Sequence, residues 1–156
     1  MIEFTLEHLL EEERALQLDH FDYEFAWRLG SLIRARAAAE SLPIAVEVTH
    51  GADPVFYAML PGATADNTVW IARKRNVVLR FQHSTLYMRR MCELNGSNFN
   101  QRYRLAETDY AAAAGGVPLL LRHGGMIGVV SVSGLPGLDD HTVITDAIAR
   151  LTGAGG

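Results

Sequence analysis

Asp66-Asn67-Thr68-Val69-Trp70-Ile71-Ala72-Arg73-Lys74-Arg75-Asn76-Val77-Val78-Leu79-Arg80-Phe81-Gln82-His83-Ser84-Thr85-Leu86-Tyr87-Met88-Arg89-Arg90-Met91-Cys92-Glu93-Leu94-Asn95 decides the reading of this chain. Apolar residues recur at Trp70, Val77, Phe81, Met88 and Cys92 with helical spacing, so the stretch reads as one long helix. Asn67 is a candidate for its cap and Gly96 for its end. At about 100° per residue, Arg73, Asn76, Arg80, His83 and Tyr87 fall in a sector of roughly 80° beside the apolar face. Two guanidiniums, an amide, an imidazole and a phenol along one edge are suited to gripping an anion.

Two hairpin-like segments flank this helix. Ile44 to Val48 and Val55 to Leu60 read as strands joined by His50-Gly51-Ala52-Asp53-Pro54, and Val117 to Arg122 and Met126 to Ser133 as strands joined by His123-Gly124-Gly125. Upstream, residues 4 to 15 form an amphipathic helix with Leu6, Leu9 and Leu10 on one side. Asp22 then caps a second helix to about Leu42, with Phe25, Leu29, Leu32 and Ile33 as its buried stripe and Pro43 as its stop. Residues 96 to 116 read as irregular, enclosing a short helix around Leu105 to Ala113. A last helix runs from about Asp139 to Leu151, and 153–156 reads as a frayed tail. The order α-α-β-β-α-β-β-α, with no βαβ alternation, favours an α+β fold with an antiparallel sheet covered by helices. No repeat or linker divides the chain, so 1–156 reads as a single domain.

Bulk properties narrow the classes. The chain has 156 residues, 49% apolar and 21% charged, as an ordinary globular protein does. No apolar run approaches the roughly 18 residues of a membrane span, and the acidic N-terminus is unlike a secretion signal. With Cys92 as the lone cysteine, an intrachain disulfide and, within one subunit, a thiolate metal cluster are excluded, and a cytoplasmic location is the expectation. The net charge of −4 argues against non-specific nucleic-acid binding. Charge is nonetheless uneven: residues 1–40 carry nine Asp or Glu against four Arg, and residues 70–104 carry eight Arg or Lys against Glu93 alone. The acidic first helices are expected to pack near the basic middle, within one subunit or between subunits.

The motif Trp70-x-x-Arg73-Lys74-x-Asn76-Val77-Val78-x-Arg80-Phe81-x-His83-Ser84, followed by Val132-Ser133-Gly134-Leu135-Pro136 and Asp140-His141, resembles the haem-degrading (GlcG-like, HbpS-like) domain family. Within it, the chain is most similar to a small stand-alone subfamily, and the resemblance runs from about Phe4 to Leu151. It implies a profilin-like arrangement with a central antiparallel sheet of about five strands flanked by helices, and it implies homo-oligomers. The family takes its name from members that bind haem or are reported to degrade it, so haem is the cofactor that the resemblance implies. No Cys-x-x-Cys-His attachment signal is present.

Among the candidate chemical groups, His83 is suited to haem ligation or acid/base work, and Arg73 and Arg80 to pairing with propionate, phosphate or carboxylate. The competing assignment gives His83 a structural hydrogen bond and the arginines to acidic residues of a neighbouring subunit. Lys74 is the only lysine, against thirteen arginines, and lies toward the apolar side. Buried, it would be a base or amine nucleophile; otherwise its stem covers the core and its head reaches water. Ser133-Gly134 ends the last strand, where backbone can approach a ligand, and Asp139 or Asp140 can cap the last helix. His50 and His123 sit in turns with no metal-ligand spacing, and phosphate-loop, nucleophile-elbow and dinucleotide motifs are absent.

The expectation is a small-anion or tetrapyrrole binder, oligomeric and without nucleic-acid or membrane partners. Its ligand-binding residues are Arg73, Asn76, Arg80, His83, Tyr87, Ser133 and Gly134, with Lys74 as a reactive candidate and no metal site of its own. Two alternatives stand beside it. One is a non-catalytic assembly or chaperone-partner module whose basic stripe is an interface, and the other a small-molecule enzyme using His83 or Lys74.

Overall fold

The computed structural model describes residues 4–154. Short runs rich in Val, Leu and aromatic residues build four strands, β1 (Ala45–His50), β2 (Asp53–Met59), β3 (Gly116–Leu121) and β4 (Gly125–Ser133). They form one antiparallel sheet in the order β2-β1-β4-β3, so both hairpins are present, β2 and β3, the strands joined by the long helical crossover, lie at the edges, and β1 and β4 meet in the middle. Val46 faces Val132 and Val48 faces Val130 in that central pairing. The fold is α+β, with a four-stranded antiparallel sheet flanked by helices. No fifth strand occurs among the described residues. Its nearest equivalent is an isolated parallel bridge from Leu18 to Leu121 at the free edge of β3, where Leu18 donates to Leu120 O at 2.7 Å.

Period-2 alternation sends the two faces of the sheet to different helices. Val46, Val48, Val117, Leu119, Val130 and Val132 face α2 (Tyr23–Glu40) and the C-terminal helix Asp139–Thr152. Leu29, Ile33, Ile144 and Ile148 complete the main core there. Asp22 caps α2 as expected, its Oδ1 accepting from Phe25 N at 2.7 Å. The opposite face carries Glu47 and Ser133 and is covered by α3 (Ala65–Phe81), which reaches both through side-chain hydrogen bonds. The N-terminal helix α1 (Leu6–Ala15) buries Leu9 against Leu86 and Ala114. No helix among the described residues is long and apolar enough to cross a membrane. Residues 155 and 156 of the expected tail lie outside the described residues.

The single helix expected over 66–95 is two helices. α3 stops at Phe81 because Gln82 adopts a left-handed conformation (φ 59°), and α4 (Thr85–Leu94) starts afresh with Ser84 as its cap, Oγ accepting from Tyr87 N at 3.1 Å. The start of α3 also differs: Thr64 is the cap residue, and Asn67, three positions on, accepts from Thr64 N at 2.9 Å. Nor is the buried stripe the expected one. Ile71, Lys74, Val77 and Val78 are buried, whereas Trp70 and Phe81 are half-buried. Phe81 packs on Phe99 and Tyr103 in a satellite cluster with Val77, Met88 and Cys92, away from the sheet. The short helix expected at 105–113 is instead α5 (Phe99–Tyr103), capped by Asn98, and the C-terminal helix is therefore α6. Residues 105–110 form a loop pinned by Asn100 Nδ2, which donates to Leu105 O and Tyr110 O.

Candidate functional site

Where the first turns of α3, the end of β4 and the start of α6 converge, a cleft of about 280 Å³ opens, lined by residues that include Asn67, Trp70, Lys74, Arg89, Ser133, Gly134 and Asp140. Its floor is Lys74. The side chain is only 4% exposed, and Nζ donates to Val132 O at 2.9 Å and to Asp140 Oδ2 at 3.1 Å. Asp140 is itself fixed, its Oδ1 accepting from Leu135 N at 2.9 Å. Burial pulls the Lys74 ammonium below its ordinary range against the raising influence of Asp140. Burial likewise pushes the Asp140 carboxyl up, opposed by Lys74 and by the Leu135 and Gly134 amides. Both shifts lean toward the neutral forms. One wall is tied by Asn67 Nδ2, which donates to Ser133 Oγ at 3.1 Å. Gly134 has a positive φ of 136° and packs so tightly that an added Cβ would lie 2.4 Å from Pro43 O, which requires glycine there.

The second arrangement sits at the joint between α3 and α4. His83 Nδ1 hydrogen-bonds Glu13 Oε2 at 2.9 Å, and the other carboxylate oxygen accepts from Ser84 N at 3.0 Å. The imidazole ring stacks on Tyr87 with centroids 4.4 Å apart. Glu13 holds the His83 imidazole above its ordinary pKa through this hydrogen bond, partly opposed by burial. The His83 side chain is 36% exposed, and among the described residues Nε2 has no hydrogen-bond partner. The neighbouring Glu12 pairs with a second histidine: Glu12 Oε1 meets the buried His141 Nε2 at 2.6 Å. Two histidines thus seat α1.

The candidate residues from the sequence fall into three groups. Lys74, Ser133 and Gly134 meet in the cleft. Arg73, Asn76 and Arg80 keep their common face on α3. There Asn76 donates to Asp109 O at 2.9 Å and Arg73 lies over the Trp70 ring at 4.2 Å. Neither Arg73 nor Arg80 has a carboxylate partner among the described residues, and Arg73 Nε is buried without any hydrogen bond. His83 and Tyr87 stand at and beyond the helix break, so the five do not form one continuous stripe. Sequence reasoning missed Glu13 as the partner of His83 and Asp140 as the partner of Lys74. Each pair is separated by more than sixty positions, and no spacing rule marks it.

A UPF0303 protein of Pseudomonas entomophila is 41% identical over 145 residues, covering 93% of this chain and 81% of that protein. The crystal structure of the Ybr137w protein superposes with a TM-score of 0.87 at 25% identity, covering 96% of this chain and 88% of that one. A crystal structure of the PduOC–haem complex shares the fold at a TM-score of 0.68 and 18% identity, over 83% and 93% of the two chains. The model of the family described as haem degrading protein HbpS-like matches residues 21–149, and the chain belongs to that family.

Proposed function

We propose that this protein is an oligomeric binder of a haem-type tetrapyrrole or related small anion, with His83 as the iron ligand and Arg73 and Arg80 meeting its carboxylates. The observation that carries the reading is the Glu13–His83 pair. A carboxylate on Nδ1 fixes the tautomer and ring orientation and leaves Nε2 free, the support a metal-ligating histidine ordinarily has. The donor set fits the group. An imidazole nitrogen is available on a partly exposed ring, Tyr87 offers an aromatic surface beside it, and Arg73 Nε is a buried donor without an acceptor. Bound haem would supply a redox-active iron. The protein would supply the ligating nitrogen of His83, its orientation and the counter-charge. Family membership supports haem as the ligand class. The cleft around Lys74, at about 280 Å³, lies at the small end of ligand pockets and suits a more compact molecule.

Titration with hemin tests this. Wild type should develop a Soret band that saturates. His83→Ala should alter that band, because the nitrogen that would ligate the iron is lost. Arg80→Ala should weaken binding by roughly 1.5–3 kcal/mol, about ten- to a hundredfold, by removing a charge-assisted contact. Binding of the double variant with wild-type affinity and spectrum would reject the site. If both variants instead break the oligomer while hemin binding persists, the basic face is an interface between subunits.

A further inference from the structure

The chain's one lysine lies on the floor of the cleft between α3, β4 and α6, away from the His83 joint. A lysine placed there only to cover the core would send its head to water. Lys74 does the reverse. Its ammonium end is turned inward onto a strand carbonyl and a carboxylate, and a Cβ at Gly115 would stand 2.8 Å from Nζ. The wall above it presents Ser133 Oγ and the Asn67 amide, and Arg89 stands among the lining residues. The two hydrogen bonds of Nζ leave its remaining tetrahedral position unassigned.

We propose that Lys74 and Asp140 form a carbonyl-reactive site, in which the Lys74 amine takes a compact aldehyde or 2-oxo acid as an imine with Asp140 as its proton carrier. Proton transfer within the pair leaves an amine with a lone pair and a carboxylic acid. The lone pair attacks the carbonyl carbon. As the C–N bond forms, the carbonyl π electrons move to oxygen, which takes the Asp140 proton. The resulting carbinolamine returns its N–H proton to Asp140. The hydroxyl then takes the proton from Asp140 and leaves as water while the nitrogen lone pair closes the C=N bond, which leaves a protonated imine beside the Asp140 carboxylate. Amine, carbonyl and the Asp140 acid become protonated imine, water and the Asp140 carboxylate, with no change of oxidation state. Burial moves Lys74 down and Asp140 up, so both shifts ease the initial proton transfer within the pair. Ser133 Oγ is the group on the wall suited to donating to the carbonyl oxygen, and Arg89, whose Nε donates to Glu93 Oε1 at 2.8 Å, keeps its terminal nitrogens for a ligand carboxylate.

The test is trapping in the native protein with cyanoborohydride, using butyraldehyde in one arm and glyoxylate in the other, read by intact mass and peptide mapping. Because Lys74 is the only lysine, a reduced adduct on an ε-amine can arise at no other residue, and any N-terminal amine serves as an internal control. The expected result is one adduct per chain on the Lys74 peptide, formed near neutral pH ahead of the α-amine and saturating with carbonyl concentration. Preference for glyoxylate would assign Arg89 a role, and preference for butyraldehyde would assign a neutral ligand. Asp140→Asn should slow trapping, with circular dichroism reporting whether that variant folds. Native wild type in which Lys74 stays unlabelled, while the urea-unfolded chain labels readily, would overturn the proposal and leave the pair a structural clamp. This outcome is independent of hemin binding.

Discussion

His83 and Lys74 are both held by carboxylates, but solvent treats the two pairs differently. The imidazole pKa is raised in the folded chain, chiefly by its bond to Glu13. The stabilisation from that raised value is therefore fully present below the unfolded imidazole value of about 6.5 and is lost as pH rises through the higher folded value. Because the side chain is 36% exposed, solvent screening limits the effect to less than about 1 kcal/mol. The stability gap between wild type and His83→Gln, measured by urea denaturation without hemin, should accordingly be larger at about pH 6 than at about pH 9. A gap that grows with pH would mean the pair is not formed. Lys74 and Asp140 are 4% and 7% exposed, so loss of one partner leaves the other largely shielded from solvent. Lys74→Met strands a buried carboxylate and should cost about 3–5 kcal/mol, with Lys74→Met/Asp140→Leu recovering much of the loss. A single variant as stable as wild type would show that the ammonium does not reach Asp140.

At the scale of elements, the decisive feature is the break between α3 and α4. Gln82 holds a left-handed conformation that disfavours residues with a Cβ. Gln82→Gly should thus stabilise the fold by roughly 0.5–1 kcal/mol, visible as a higher urea midpoint at unchanged slope. In one continuous helix the same change would cost about 1 kcal/mol, so the sign of the shift separates the two structures. The break was hard to read because no Gly or Pro marks it, and the apolar period continues across it in Val77, Phe81, Met88 and Cys92. Ser84 was the available signal, a good cap residue in mid-pattern. The four strands and the outer helices were legible because alternation and Asp22, Pro43 and paired glycines punctuate them. The site was legible only in its residue types. Lys74 and His83 stood out as isolated chemistry, while their partners Asp140 and Glu13 come from the far ends of the chain and depend on how α6 and α1 dock.

For the whole molecule, the open question is what meets its exposed charge and aromatic surface. The asymmetry between an acidic N-terminal region and a basic middle is partly satisfied inside one subunit, since α1 packs on α4 and Glu13 binds His83. Arg75 takes Glu47, and Arg89 and Arg90 take Glu93. That leaves Glu7 and Glu11 exposed on α1, and Arg80 exposed on α3 with no carboxylate partner among the described residues. Trp27 and Tyr23 on α2 are each 61% exposed, and large aromatics of this kind are enriched where subunits meet. Complementary charges of this strength steer association and are screened by salt. Light scattering at micromolar concentration should therefore give at least twice the mass of one chain. Trp27→Glu should lower that mass if the aromatic face carries the contact. Raising the salt to about 1 M, where screening acts within roughly 3 Å, should lower it if the charged faces do. A strictly monomeric mass in low salt would refute assembly by either face, and it would place the unpaired arginines of α3 at the disposal of a ligand rather than a second subunit.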